Sequence, residues 1–143
     1  MTAPGLPEVE VGTVLPPLAV TFTRERLVRY AGASTDFNPI HYSDHYAAQV
    51  GLPGVIAHGL LTMGVALRVV TDWVGDPAAV TTYFVRFTKP VVVPDTSDGV
   101  EVVFTATVVG IEGTVATVAI EASCAEVKVL GAARAEVELG GVR

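Results

Sequence analysis

Cysteine, basic residues and long apolar runs are all scarce in this chain of 143 residues. A single cysteine, Cys124, excludes an internal disulfide. Nine Lys and Arg residues stand against fifteen Asp and Glu residues, and the net charge of -6 disfavours nucleic-acid binding. Charged residues interrupt the apolar stretches before the ~18 residues of a membrane span accumulate, and the N-terminus lacks the basic and apolar segments of a signal peptide. We therefore expect a cytoplasmic protein with no membrane span.

Metal-binding motifs are missing as well. No spacing of Cys, His and carboxylate residues resembles a zinc site, so we predict no metal and no cofactor. Hydrophobic residues make up 50% of the chain, which is enough for a core of ordinary size. The length predicts one domain over residues 1–143, with residues 1–15, rich in Pro and Gly, as an entry arm.

The first half of the chain is predicted to be mainly helical. A short strand at residues 18–22 precedes three predicted helices, which cover residues 24–34, 44–50 and 56–73. Thr23 and Ser43 are typical N-caps for the first two helices. The third is apolar nearly all round, with Thr62, Arg68 and Asp72 as its main polar residues, so we expect it to be buried.

The second half changes to segments that are rich in Val and Thr, alternate in part and are separated by turn residues. This pattern predicts β-strands over residues 80–90, 100–109, 115–125 and 126–139. We expect the strands to form an antiparallel meander that curves around the long helix, which is an α+β fold. Because a single sheet leaves exposed edges, we also expect a dimer that continues the sheet.

Three polar groups lie within six residues of the turn between the first two helices: Asp36, Asn38 and His41. A turn can bring a carboxylate, an amide and an imidazole to one point, although a solvated Asx-turn beside a capping histidine explains the same residues. Gly59 opens the long helix, where a backbone N–H at the positive helix end is accessible to a ligand oxygen. Together these groups can remove a proton next to a carbonyl, hold the enolate and protonate a departing hydroxyl.

Three segments resemble the MaoC-like (R)-specific enoyl-thioester hydratases and 3-hydroxyacyl-thioester dehydratases: S-T-D-F-N-P-I-H at residues 34–41, A-H-G-L-L-T-M at 57–63 and Y-F-V-R-F-T-K-P at 83–90. Within that family, the segments T-M-G at residues 62–64, W-V-G-D-P at 73–77 and V-R-F-T at 85–88 look most like the catalytic subunit of the actinobacterial dehydratase of mycolic-acid elongation. The family has the hot-dog fold, in which a curved antiparallel sheet wraps a long central helix. It usually has glycine at the position of Thr35, so a positive φ there would strain this loop.

The resemblance implies cofactor-free, reversible dehydration of (3R)-hydroxyacyl thioesters to trans-2-enoyl thioesters, a carbon–oxygen lyase reaction of fatty-acid elongation. Asp36 and His41 would form the catalytic pair, Asn38 would brace the loop, and the Gly59 N–H would bind the thioester oxygen. We favour His41 as the base at C2 and Asp36 as the group that handles the hydroxyl. The substrate would be an acyl-ACP or acyl-CoA thioester, and the dimer partner an identical chain or a related non-catalytic subunit.

Four further residues are candidates for contact with the substrate or its carrier: His58, Thr62, Arg86 and Lys89. His58 is more simply interpreted as a structural turn histidine. Arg86 and Lys89, with the arginines at positions 24, 26 and 29, would form a basic patch for phosphopantetheine, or they belong to solvated faces. Trp73 and Tyr83 line an acyl tunnel or belong to the core.

Two other functions are compatible with the predicted fold: an acyl thioesterase and a non-catalytic acyl-binding subunit. Thioesterases of this architecture use a carboxylate on the central helix, and here only Asp72, near the far end of that helix, is available. A non-catalytic subunit is expected to lack the Asp36 and His41 pair, which this chain keeps. Both comparisons favour the dehydratase.

Overall fold

One antiparallel sheet carries most of the core. In the computed structural model, which describes residues 8–140, the strands are β1 (Leu18–Phe22), β2 (Val80–Phe87), β3 (Val100–Glu112), β4 (Val115–Cys124), β5 (Val127–Lys128) and β6 (Leu130–Glu138). Their order is β1-β3-β4-β6-β2, with β5 paired to β4 beside this path. Alternate residues of β3 and β4 are buried, which is the pattern of a sheet with one face on a core. The first seven residues of the predicted entry arm lie outside the described residues.

Three helices complete the described chain: α1 (Arg24–Ser34), α2 (Asp44–Gln49) and α3 (Gly59–Val74). The predicted caps are confirmed, since the side-chain oxygens of Thr23 and Ser43 accept hydrogen bonds from N–H groups in the first turns of α1 and α2. One face of α3 packs on the sheet with Leu61, Val65 and Val69 among its buried residues. Across from it, β4 and β6 present small buried side chains such as Ala116 and Ala135. An antiparallel sheet on a long helix is the predicted α+β class.

The start of α3 was predicted three residues too early. Residues 55–57 are extended and pair with residues 91–93, through hydrogen bonds from the Ala57 N–H to the Val91 carbonyl and from the Val93 N–H to the Val55 carbonyl, both 2.9 Å. These long-range bonds hold the backbone straight where the apolar sequence pattern alone suggested helix. Gly59, which we expected to open the long helix, is the first residue of α3.

The predicted meander is wrong in one respect, because β2 pairs with β6 and lies at the edge of the sheet. The segment between β2 and β3, residues 88–99, is too long for a hairpin turn and runs instead beside residues 55–57. Other strand ends differ less. β2 stops at Phe87 rather than at residue 90, β3 continues to Glu112 through an irregularity after Val108, and the predicted last strand divides into β5 and β6.

The expectation that α3 is buried all round is not met in a single chain. Leu60 is 63% exposed, and Gly64, Arg68 and Asp72 follow it along the same exposed face. The edge strand β2 has Phe84 and Phe87 more than half exposed. An apolar edge strand and a partly uncovered helix therefore remain on the surface. None of the helices within residues 8–140 is long and apolar enough to cross a membrane.

Candidate active site

The loop after α1 is held by its own side chains. Thr35 ends the helix in the left-handed conformation, with φ 63° and ψ 15°, at the position where the resemblance led us to expect strain. Asp36 Oδ1 then accepts a hydrogen bond of 3.1 Å from the Asn38 N–H, and Asn38 Oδ1 accepts one of 3.2 Å from the Ile40 N–H. The next residues form a single 3-10 turn that ends at His41. Asn38 thus bonds within the loop between Asp36 and His41.

His41 is buried, with 7% of its surface exposed, and its tautomer follows from its partner. Its Nδ1 lies 2.7 Å from the Ile56 carbonyl oxygen. Because a carbonyl only accepts hydrogen bonds, Nδ1 must donate, and the neutral ring keeps its lone pair on Nε2. That nitrogen lies 3.8 Å from Asp36 Oδ2, too far for a direct hydrogen bond. His41 therefore presents an unprotonated nitrogen next to an exposed carboxylate.

His58 lies behind His41. The two imidazole rings stack with centroids 3.8 Å apart and planes 21° apart, and the His58 Nε2–H donates to the Asp36 carbonyl over 3.2 Å. Only 1% of His58 is exposed, and its Nδ1 has no hydrogen-bond partner among the described residues. Burial lowers the pKa of His58 below its ordinary value. His58 does not line the cleft described next, so the structure does not support its predicted contact with substrate.

Asp36 and His41 open onto a cleft of about 460 Å³. Its walls are mostly apolar and come from the loop, the start of α3, the end of β2 and the start of β6; they include Ile40, Ile56, Leu60, Phe87, Val91 and Leu130. Gly59 lines the same cleft as the first residue of α3, where N–H groups have no partner within the helix and the helix dipole is positive. The cleft therefore has both the His41 imidazole and the positive end of a helix in its lining.

The remaining predicted site residues divide into two groups. Thr62, which is 3% exposed, and Lys89 both line the cleft. Arg86 is exposed on β2 and does not line it. The predicted basic patch does not extend to α1, because Arg24 pairs with Asp44 at 2.8 Å and the other α1 arginines also have local contacts.

Two aromatic residues that we considered for an acyl tunnel pack against the core instead. Trp73 and Tyr83 are partly buried against it, and neither lines the cleft. The Tyr83 hydroxyl donates to the Met63 carbonyl over 2.7 Å, and burial raises its pKa. Phe87 takes part in the cleft in a way that the sequence did not indicate, since its ring lies against Gly59.

A metal ion does not fit this cluster well. Asp36, His41 and His58 each offer one ligand atom, and these atoms lie within 4.8 Å of one another. An imidazole binds a metal through a lone pair in the plane of its ring, at about 2.0–2.1 Å for zinc. Nearly parallel rings aim their lone pairs side by side rather than at one point, and His58 Nε2 already donates to Asp36. That the chain needs no metal stays a prediction from the sequence.

The sequence and the fold match a known family. The sequence profile of the MaoC like domain matches residues 9–124, which is most of the chain. The chain belongs to the MaoC-like family. A solved structure described as a MaoC-like dehydratase superposes on this MaoC-like domain with a TM-score of 0.91 and 36% sequence identity, covering 95% of this chain and 42% of that chain. This agreement confirms the hot-dog fold predicted from the resemblance.

Two further likenesses bear on function and assembly. The MaoC-like domain is 40% identical over 83 residues to 3-hydroxyacyl-thioester dehydratase X of Mycobacterium tuberculosis, which is 57% of this chain and 29% of that protein. It also superposes, with a TM-score of 0.78, 23% identity and coverage of 90% of this chain and 98% of that chain, on the crystal structure of the ChsH1-ChsH2 complex from Mycobacterium tuberculosis. The chain thus spans less than a third of the dehydratase, and the second likeness shows the fold alone.

Proposed function

We propose that this MaoC-like domain catalyses the reversible dehydration of (3R)-hydroxyacyl thioesters to trans-2-enoyl thioesters. The observation that carries the proposal is the position of His41 Nε2, the ring nitrogen that is not used by the bond to Ile56, 3.8 Å from the Asp36 carboxylate at the mouth of an apolar cleft. The dehydratase from Mycobacterium tuberculosis gives the substrate class by similarity, and the (R) configuration follows the motif resemblance.

Dehydration needs a base at C2 and a group that holds the hydroxyl at C3. His41 fits the first role, because its Nδ1–H bond to the Ile56 carbonyl leaves Nε2 free to accept the C2 proton. Asp36 fits the second, because its carboxylate is 47% exposed and accepts a hydrogen bond from a hydroxyl or from water. The C2–H electron pair first moves toward the thioester oxygen as an enolate and then forms the C2–C3 double bond as the C3–O bond breaks. His41 Nε2–H gives the C2 proton to the departing hydroxide, which leaves as water, so both residues return to their starting state.

The negative charge that develops during this step moves toward the thioester oxygen. Gly59 and Leu60 line the cleft at the start of α3, where the helix end carries a partial positive charge, whereas the N–H groups of Leu61 and Thr62 already donate to the His58 carbonyl. In this proposal the Gly59 N–H holds the enolate oxygen while His41 removes the proton. The apolar walls of the cleft accommodate the acyl chain, and Lys89 lies where the phosphates of CoA or of a phosphopantetheine arm would enter.

The thioesterase alternative has little support in the structure. Asp72, the only carboxylate on α3, is exposed and pairs with Arg68 at 3.3 Å. It does not line the cleft that holds His41. A hydrolase would need its carboxylate beside the thioester carbon, and the cleft offers that role only to Asp36 on the loop.

The proposal is tested by hydration assays with crotonyl-CoA and crotonyl-ACP, in which loss of the enoyl-thioester absorbance measures the reaction. Asp36→Asn and His41→Ala should each lower kcat by about 10²–10⁴-fold, the range for a positioned acid or base. His45→Ala is the matched control, since His45 is exposed on α2 and should leave kcat unchanged. Wild-type turnover by either folded loop variant would refute the assignment, and release of free thiol instead of hydration would favour the thioesterase.

We propose further that the domain works as a dimer, with an identical chain or with a related non-catalytic subunit. Phe87 of β2 and Leu60 of α3 are both more than half exposed and line the cleft, and Phe84 of β2 is exposed as well, so a second hot-dog domain would cover apolar side chains on this edge strand and helix. A neighbouring structure is itself a complex of two proteins. Light scattering at low micromolar concentration decides the point, because an active, monodisperse particle of 14.9 kDa would contradict it. A cytoplasmic location stays a prediction from the sequence.

A further inference from the structure

His58 contacts both members of the proposed catalytic pair without reaching the cleft. It stacks on the ring of His41, and its Nε2–H donates to the backbone carbonyl of Asp36. On its other side, Tyr30 of α1 packs edge-on with ring centroids 4.7 Å apart. With 1% of its surface exposed, His58 is screened from any ligand in the cleft. His58 can therefore influence the reaction in the cleft only through Asp36 and His41.

The hydrogen-bond pattern keeps His58 neutral. Because the Asp36 carbonyl only accepts, the single proton of the neutral ring sits on Nε2. A second proton would have to enter at Nδ1, which is buried and has no partner among residues 8–140. The titratable groups that face the ring are His41 and Tyr30, with the Asp36 carboxylate beyond the shared backbone carbonyl.

We propose that His58 is a positioning residue for the dehydration proposed above, on which this inference rests. Its ring fixes the plane of His41, and its Nε2–H anchors the backbone of Asp36. Together these two contacts hold the carboxylate and the base at their separation of 3.8 Å. A misplacement of about 1 Å between reacting groups lowers a rate by about 10²-fold. The neighbouring Thr35 is strained, so the loop has reason to move once the anchor is lost.

Two substitutions separate the anchor from the ring. His58→Phe keeps an aromatic ring against His41 and removes the donor, so kcat should fall about 10- to 100-fold while KM stays within about twofold. His58→Gln places an amide N–H near the position of the ring Nε2–H and should restore part of the lost kcat. His45→Gln is the matched control on the exposed α2 surface. Thermal unfolding and circular dichroism confirm that each variant is folded.

Wild-type kcat in folded His58→Phe would overturn the proposal, as would a His58→Gln variant no more active than His58→Phe, or an effect on KM instead of kcat. If the wild-type protein itself does not hydrate crotonyl thioesters, that result refutes the proposed function instead.

Long-range proton–nitrogen NMR on the three histidines tests the geometry without substrate. It should show opposite neutral tautomers, with the proton on Nδ1 in His41 and on Nε2 in His58. In the wild type the His58 resonances should keep the neutral pattern at about pH 6.5, the ordinary pKa of a histidine, because burial lowers the pKa of His58. A proton on Nδ1 of His58 would overturn the anchor whichever reaction the cleft performs.

Discussion

Thr35→Gly should make this protein more stable, although it removes a hydrogen bond. Thr35 has φ 63° and ψ 15°, a left-handed conformation that costs a residue with a Cβ about 1–2 kcal/mol. Glycine adopts it freely but gains about 0.4–1 kcal/mol of entropy in the unfolded chain. The hydroxyl bond from Thr35 to the Ser34 carbonyl is solvent-exposed, so water replaces it at little cost.

The net change in the free energy of unfolding is a gain of about 0.5–1 kcal/mol, which corresponds to a rise in Tm of about 2 °C for a chain of this length. Denaturant unfolding, with Tm from calorimetry, measures it directly. Ala33→Gly is the matched control, because Ala33 is exposed within α1 and has ordinary helical backbone. That substitution should lower stability by about 1 kcal/mol.

The two glycine variants should therefore move stability in opposite directions. A Thr35→Gly variant that loses as much stability as Ala33→Gly would show that Thr35 is not strained, and the account of this loop would be wrong. Hydration activity should stay within about twofold of wild type, since the hydrogen bond between Asp36 and Asn38 does not involve Thr35.

Three more predictions concern the cleft. The methyl group of Gly59→Ala would lie 3.1 Å from the Phe87 ring. It should lower kcat by up to about 10²-fold, because it narrows the path of the thioester oxygen to the N–H of residue 59. The double variant with Phe87→Leu should recover activity unless the methyl group itself blocks the thioester oxygen. The pKa of His58 is lowered in the folded protein, so its contribution to stability is present above about pH 6.5 and is lost as the pH falls through the folded pKa. In denaturant titrations the wild type should therefore lose more stability than His58→Gln between about pH 7.5 and pH 5. Equal losses would contradict this. Lys89→Glu should raise KM for crotonyl-CoA with little change in kcat, and it should leave KM unchanged for a short crotonyl thioester that lacks phosphate. Arg86→Glu, outside the cleft, should leave KM unchanged for both substrates. Equal effects of the two variants would show that Lys89 does not bind the phosphates of the carrier.

Local signals in the sequence predicted the parts of the site that depend on neighbouring residues. The caps of α1 and α2 and the turn from Asp36 to His41 were recognised because each is set by side chains within a few positions. The start of α3 was missed because residues 55–57 are held extended by bonds to a segment more than thirty positions away.

The stacked histidines were missed for a related reason. His58 lies 17 positions after His41, and nothing between them in the sequence indicates that the rings meet. Their contact depends on how the extended segment before α3 runs beside the loop, which is a tertiary property. Nor was Ile40 or Leu130 predicted to line a cleft, because their position in its wall depends on tertiary packing.

The position of β2 at the edge of the sheet affects how the chain folds during its synthesis. Phe87 pairs with Leu130 and Val80 with Val137, so β2 leaves the ribosome well before its partner strand. At about 5–20 residues per second, roughly fifty residues of synthesis leave β2 unpaired for several seconds. During that time V-T-T-Y-F-V-R-F is an exposed apolar strand able to pair with another nascent chain. The cleft wall that contains Phe87 and Leu130 forms only after the last strand, β6, has been synthesised. Shortening the chain within β6 should therefore abolish the site, although its polar residues are still present in the sequence.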